Sequence, residues 1–168
     1  PEKFYYGILS APMLGFKNEK FLRTASSLMN IFRKDTDYLI GSNPNMGEET
    51  SFEENDLTTD KVRYKRIIDM IRIKPDIRLW GVTNSFAKAV DKRFRTIRER
   101  GWAETINLKI LIINNINDKV VDSKKIDQMA SRLPKAETLH FNSTKHEIFM
   151  EKDNFRKILW SSIDQFLK

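Results

Sequence analysis

Cysteine is absent from this 168-residue chain, and histidine occurs only at His140 and His146. The first absence excludes disulfides, thiolate catalysis and cysteine-ligated metal centres, and it fits a reducing compartment such as the cytoplasm. The second leaves no histidine-rich metal site and no His-Glu-x-x-His spacing, so the sequence implies neither a metal nor a cofactor. Long hydrophobic runs are missing as well. The longest, residues 4–16, is interrupted by Gly7, Ser10 and Pro12, and it falls short of the roughly 20 residues that span a bilayer. The chain opens Pro1-Glu2-Lys3 without an initiator Met or a basic leader. We therefore expect no secretory signal, and a chain that begins inside a larger sequence. A last absence bears on chemistry: no Gly-x-Ser-x-Gly occurs, so no tight glycine turn presents a serine nucleophile.

What is present suits one globular unit. An apolar fraction of 40% with 11% aromatics is that of a folded protein, and the length predicts one domain over residues 1–168. The formal charge of +7 is uneven, because residues 61–100 hold 13 Lys and Arg against 4 Asp and Glu. That segment suggests an anionic partner, either nucleic acid or an anionic lipid surface, while a solvated helical face accounts for the same charges without one.

The run Phe4-Tyr5-Tyr6-Gly7-Ile8-Leu9 favours a strand, and its near-continuous apolar character predicts burial on both faces. Apolar residues at helical spacing predict an amphipathic helix over residues 19–32 and a loop over 34–60. Thr59-Asp60 caps a predicted helix reaching residue 73, with Tyr64, Ile67, Ile68 and Ile71 as its stripe and Pro75 as its stop. Thr83 caps the next, which carries Phe86, Ala89, Val90, Phe94 and Ile97 and stops near Gly101. Then follow a strand (109–114), a helix (123–132), a strand (137–141) and a final helix (154–167). Strand, helix, strand, helix with short connections is the signature of parallel βαβ units.

Asp118 falls in the loop after the first of those two strands and His146 in the loop after the second. In open α/β sheets, functional residues gather beyond the carboxyl ends of strands. An aspartate that accepts from an imidazole fixes the tautomer and stabilises the imidazolium formed when the ring takes a proton. Alone, Asp118 reads as a turn residue and His146 as a helix-approach residue. Together, in strand order, they read as a catalytic pair.

Several segments carry a family resemblance: Ser10-Ala11-Pro12-Met13-Leu14-Gly15, Leu57-Thr58-Thr59-Asp60-Lys61-Val62-Arg63-Tyr64, Gly81-Val82-Thr83, Asn117-Asp118-Lys119-Val120-Val121, and Lys145-His146-Glu147-Ile148-Phe149-Met150-Glu151-Lys152-Asp153 with Arg156. In register over essentially the whole chain, these resemble the second half of bacterial lysophospholipases, in the monoacylglycerol-lipase-like branch of the α/β-hydrolases. The resemblance implies an α/β fold, the C-terminal part of an α/β-hydrolase, with a helical cap inserted over residues 17–103. It implies a serine ester hydrolase of fatty-acyl esters, lysophospholipid or monoacylglycerol, with Asp118 and His146 completing the triad. Trp80, Phe86, Val90 and Phe94 would line the acyl cleft or, alternatively, form the core of the cap.

Departures from the family pattern are equally informative. The family's serine elbow and oxyanion donors precede the Ser-Ala-Pro-Met strand, so this chain is expected to be inactive alone and to partner an N-terminal hydrolase half. Asn142-Ser143-Thr144 stands where a glycine is common, and Asn84-Ser85-Phe86 where a tryptophan is common. Neither Ser10, Ser42 nor Ser143 has the glycine turn of a nucleophile. An unpaired edge on the first strand predicts self-association. The expected location is cytoplasmic, with peripheral contact at the inner membrane face. The alternative is a non-catalytic basic module that binds anionic membrane or nucleic acid.

Overall fold

The computed structural model describes residues 4–16, 36–38, 50–78 and 81–168. The expected helix over 19–32, much of the 34–60 loop and Trp80 lie outside the described residues. Three strands, β1 (Tyr6–Ser10), β2 (Lys109–Asn115) and β3 (Ala136–Phe141), form a parallel sheet in the order β1-β2-β3. Helices α1 (Lys61–Ile73) and α2 (Asn84–Arg98) lie between β1 and β2 in the chain. Helix α3 (Ser123–Ala130) makes the β2-to-β3 crossover, and α4 (Asp153–Phe166) follows β3.

Alternation along β2 builds the core. Side chains of a strand point to opposite faces in turn, so an unbroken apolar run is stable only where both faces are covered. Ile110 and Ile112 pack with Val121, Ile126, Met129 and Leu133 on the α3 side. Leu111 and Ile113 pack with Phe141, Ile148, Leu159, Ile163 and Phe166 on the α4 side. The same alternation continues into the polar end of the strand. Asn114 donates to Ser123 O (3.1 Å) and Asp127 Oδ1 (2.8 Å) on one face, and Asn115 donates to Thr144 O (2.7 Å) on the other.

β1 departs from the expected burial. It runs from residue 6 to residue 10, and Tyr6, Ile8 and Leu9 remain 42%, 37% and 39% exposed. Among the described residues β1 is an edge strand paired to β2 alone, and its residues lie outside the two clusters that α3 and α4 build on β2; Tyr6 meets Phe166 of α4 edge-on (5.7 Å between ring centroids) yet stays partly exposed. At its carboxyl end Ala11 takes a positive φ of 41° and donates to Ile113 O at 2.9 Å, turning the chain off the sheet.

The capping signals sit where the sequence places them. Asp60 Oδ1 accepts from the Val62 and Arg63 amides (both 3.0 Å), and Thr83 Oγ1 accepts from the Phe86 amide (3.4 Å). Pro75 lies in a short 3₁₀ turn, Pro75–Ile77, directly after α1. A second such turn, Ile148–Met150, precedes α4. Both are too short to show a period in sequence. Arg132, beyond α3, donates to the Glu99 carbonyl at the end of α2 (2.6 Å) and pairs with Glu104, tying α2 to the sheet layer. Those bonds hold the Glu104 carboxyl down at about 2. No helix among the described residues is long and apolar enough to cross a membrane.

Candidate active site

Two neighbouring loops at the carboxyl end of the sheet bring the predicted pair together. After β2, the Asn115 side chain accepts from the Asn117 amide (3.1 Å), and Asp118 N donates to Asn115 O (3.1 Å), closing a tight turn. Asn115 reaches the 142–144 loop through Thr144 O, and Asn117 reaches it through Asn142 O at 2.8 Å. The β2 loop is therefore fastened to the β3 loop before any functional group is considered.

Asp118 is buried, and each of its carboxylate oxygens is used. Oδ1 accepts from the Val120 amide (2.7 Å) and the Val121 amide (3.0 Å); Oδ2 accepts from His146 Nδ1 at 2.9 Å. Burial pushes the Asp118 carboxyl up, but the bonds from His146, Val121 and Val120 outweigh it and hold the group below the ordinary carboxylate value. The bond to Asp118 holds the His146 imidazole above its ordinary value against the opposing effect of burial, and the charges of Asp118 and Glu147 add to it. An ionised carboxylate can only accept, so Nδ1 carries the hydrogen and the neutral ring keeps its lone pair on Nε2. That arrangement can take a proton at Nε2 and stabilise the charge that results.

The His146 backbone is held from the other side of the chain. His146 N donates to Asp56 O (3.1 Å), and Glu147 N donates to Leu57 O (2.8 Å). Lys145 N donates to the Glu151 carboxylate at 2.6 Å. Thr58 Oγ1 donates to Met150 O (2.7 Å), and Arg63 spans Asp60, the Glu151 carbonyl (2.8 Å) and Asp153 (2.5 Å). The bond to Asp153 keeps the Arg63 guanidinium above, and the Asp153 carboxyl below, their ordinary values. The sequence marked Thr59 only as a helix-capping candidate beside Asp60 and Glu151 only as part of a resembling segment, and it gave Asn115 no role. Their partners lie up to 92 residues away, and no local pattern marks such a contact.

Phe86, Val90 and Phe94 recur every four residues on one face of α2, in a separate element from the Asp118 and His146 loops. Phe86 is 46% exposed, whereas Val90 and Phe94 are buried. The Phe94 ring packs against Phe16 (5.6 Å between centroids) and beneath the Arg98 guanidinium (4.7 Å). No group of metal-ligating side chains occurs among the described residues.

Comparison with known proteins follows the same lines. The chain is 28% identical over 162 residues to a probable lysophospholipase L2 from Haemophilus influenzae, covering 95% of this chain and 50% of that protein. It thus spans about half the length of the curated relative it matches. Among solved structures, a soluble variant of monoglyceride lipase from Saccharomyces cerevisiae superposes with a TM-score of 0.65 at 18% identity, over 96% of this chain and 55% of that one. A monoacylglycerol lipase from Paleococcus ferrophilus gives 0.66 at 14% identity, over 99% and 60%. At those identities the two structures establish the fold, that of the α/β-hydrolases, of which the described residues hold a three-stranded part. Residues 1–153 match the hydrolase family described as serine aminopeptidase, S33, and the chain belongs to that family.

Proposed function

We propose that this chain carries the acid and the base of a serine hydrolase acting on fatty-acyl esters, a lysophospholipid or a monoacylglycerol. The observation that carries the reading is the 2.9 Å bond between His146 Nδ1 and the buried Asp118 carboxylate, on loops after adjacent parallel strands. A serine contributed by residues outside this sequence attacks the ester carbonyl, and His146 Nε2 takes its proton. His146 then returns that proton to the departing alkoxide, and Asp118 stays ionised throughout. On this reading residues 17–103 belong to the cap, and α2 contributes to the acyl cleft through the exposed Phe86, with Val90 and Phe94 packed behind it. The chain alone has no serine elbow and is inactive until a serine-bearing half is supplied. The test is ester cleavage of a monoacylglycerol and a lysophospholipid by this chain with that half added. His146→Ala is expected to cost several orders of magnitude, and an undiminished rate refutes the assignment.

A second reading, of the same surface rather than of the chemistry, concerns the end of α1. Ile73 is 85% exposed, Met70 and Ile77 are exposed too, and residues 66–78 carry Arg66, Arg72, Lys74 and Arg78 against Asp69 and Asp76. Exposed apolar residues in a net basic stretch suit peripheral contact with an anionic membrane, each basic residue contributing about 1 kcal/mol near such a surface. Cosedimentation with phosphatidylserine vesicles is expected to fall with salt and with Ile73→Glu. Equal affinity for DNA of the same charge density points to nucleic acid instead. Among the described residues one edge of β1 is unpaired, which also supports association with a serine-bearing half or a second copy, and a monodisperse monomer in sedimentation contradicts the second copy.

A further inference from the structure

Glu151 is completely buried, and burying a carboxylate is costly unless hydrogen bonds replace its water. Its oxygens accept from the Lys145 amide (2.6 Å), from the Thr59 amide (3.1 and 3.2 Å) and from the Thr59 hydroxyl. Each of these donors is neutral, so the carboxylate is held by a set of oriented dipoles and not by an ion pair. The two residues it joins are the one before His146 and the one before Asp60, the N-cap of α1. With the bonds from His146 N to Asp56 O and from Glu147 N to Leu57 O, three consecutive amides of the histidine loop are committed to Glu151 and the 56–57 segment.

Asp118 and Glu151 thus divide the work between them. Asp118 fixes the ring, by bonding Nδ1. Glu151 fixes the main chain that carries the ring, and it does so against a segment that leads directly into α1.

We propose that Glu151 is a positioning residue for His146: its buried carboxylate fastens the Lys145 amide to Thr59 and thereby sets where the imidazole stands. The inference rests on His146 being the base. It adds a physical link between α1 and the imidazole, since any displacement of the 56–60 segment is carried to residues 145–147 through these bonds. A glutamine at position 151 keeps the volume but has only one acceptor oxygen, and its amide group opposes the N–H donors. A valine at position 59 removes the hydroxyl while leaving the Glu151 charge in place.

The test is amide hydrogen exchange and imidazole NMR on the full chain, comparing wild type, Glu151→Gln and Thr59→Val. Two histidines make the titration easy to assign, with His140→Gln identifying the other signal. In Glu151→Gln, exchange at Lys145, His146 and Glu147 is expected to rise about tenfold, as loss of one charge-assisted bond implies. The His146 titration is expected to move down toward the ordinary histidine value, while amides of α3 stay as they were. Thr59→Val is expected to give a smaller change at the same three amides, and it carries the test if Glu151→Gln does not fold. Exchange that rises uniformly across the chain means a general structural role and overturns the proposal, as does no change at those amides. The underlying reading fails separately. Ester turnover undiminished by His146→Ala refutes the base, whereas an unmoved histidine loop in both variants refutes the positioning role alone.

Discussion

The molecule contains two histidine–aspartate pairs of the same length, and only one of them has the features of a working site. His146 Nδ1 meets Asp118 Oδ2 at 2.9 Å, and His140 Nε2 meets Asp127 Oδ1 at 2.9 Å. The first pair lies in loops beyond the strands, with the aspartate buried and bonded by two further amides. The second joins the end of β3 to α3 across open surface, both partners exposed. Its imidazole bonds through Nε2, the nitrogen that His146 keeps for a proton. A hydrogen-bond distance therefore does not identify a catalytic pair. On the proposed reading, burial of the acid, further donors that hold it ionised, and the choice of ring nitrogen set the first pair apart, because each strengthens the charge relation that proton transfer draws on.

The sharpest way to break this comparison is kinetic. With a serine-bearing half supplied, Asp118→Asn is expected to lower ester turnover on the order of 10³- to 10⁴-fold, the loss typical when a triad acid is replaced. Asp127→Asn should leave turnover within about twofold, at the level of ordinary surface substitutions; similar losses from both would erase the distinction. Stability should separate the pairs next. Asp118→Ala leaves the His146, Val120 and Val121 donors without their acceptor, a loss of about 2–4 kcal/mol by urea denaturation. Asp127→Ala is expected to cost about 1 kcal/mol, since His140 faces solvent and the buried Asn114 amide retains Ser123 O.

The pH dependence gives a smaller effect with a definite sign. The folded His146 value is raised, so its contribution to stability is fully present below the unfolded histidine value of about 6.5. That contribution is lost as pH rises through the folded value. Turnover needs the neutral ring and rises over the same window, so rate and stability should run in opposite directions there. Asp118 behaves conversely: its contribution is present above the unfolded carboxylate value and is lost as pH falls through its depressed folded value. NMR titration beside a thermal melt series checks both. Smallest is the response to salt, in which 0.5 M NaCl should leave the His146 titration almost unmoved, since a buried pair is screened far less than an exposed one.

Much of this was legible in one dimension because its causes are local. The unbroken apolar run of β2 requires two covered faces, and the caps at Asp60 and Thr83 act on amides two or three residues away. Asp118 and His146 could be read from their places after consecutive strands. β1 has much the same apolar character as β2, yet its side chains stay partly exposed, because burial depends on what packs against a strand and not on its own residues. Phe86 and Phe94 look alike on the helical repeat, and only packing separates an exposed ring from one enclosed by Phe16 and Arg98.

The chain's periodicity, capping residues and strand order by themselves determined an α/β framework and delivered an acid and a histidine to the same end of the sheet. Those features depend on neighbours within a few residues, where backbone geometry leaves few alternatives. Only the tertiary structure decided that the acid is buried where His146 meets it, and that Glu151 holds the histidine loop to the approach to α1. Each of these depends on groups 28 to 92 residues apart, brought within hydrogen-bond range by the packing of two cores around one strand.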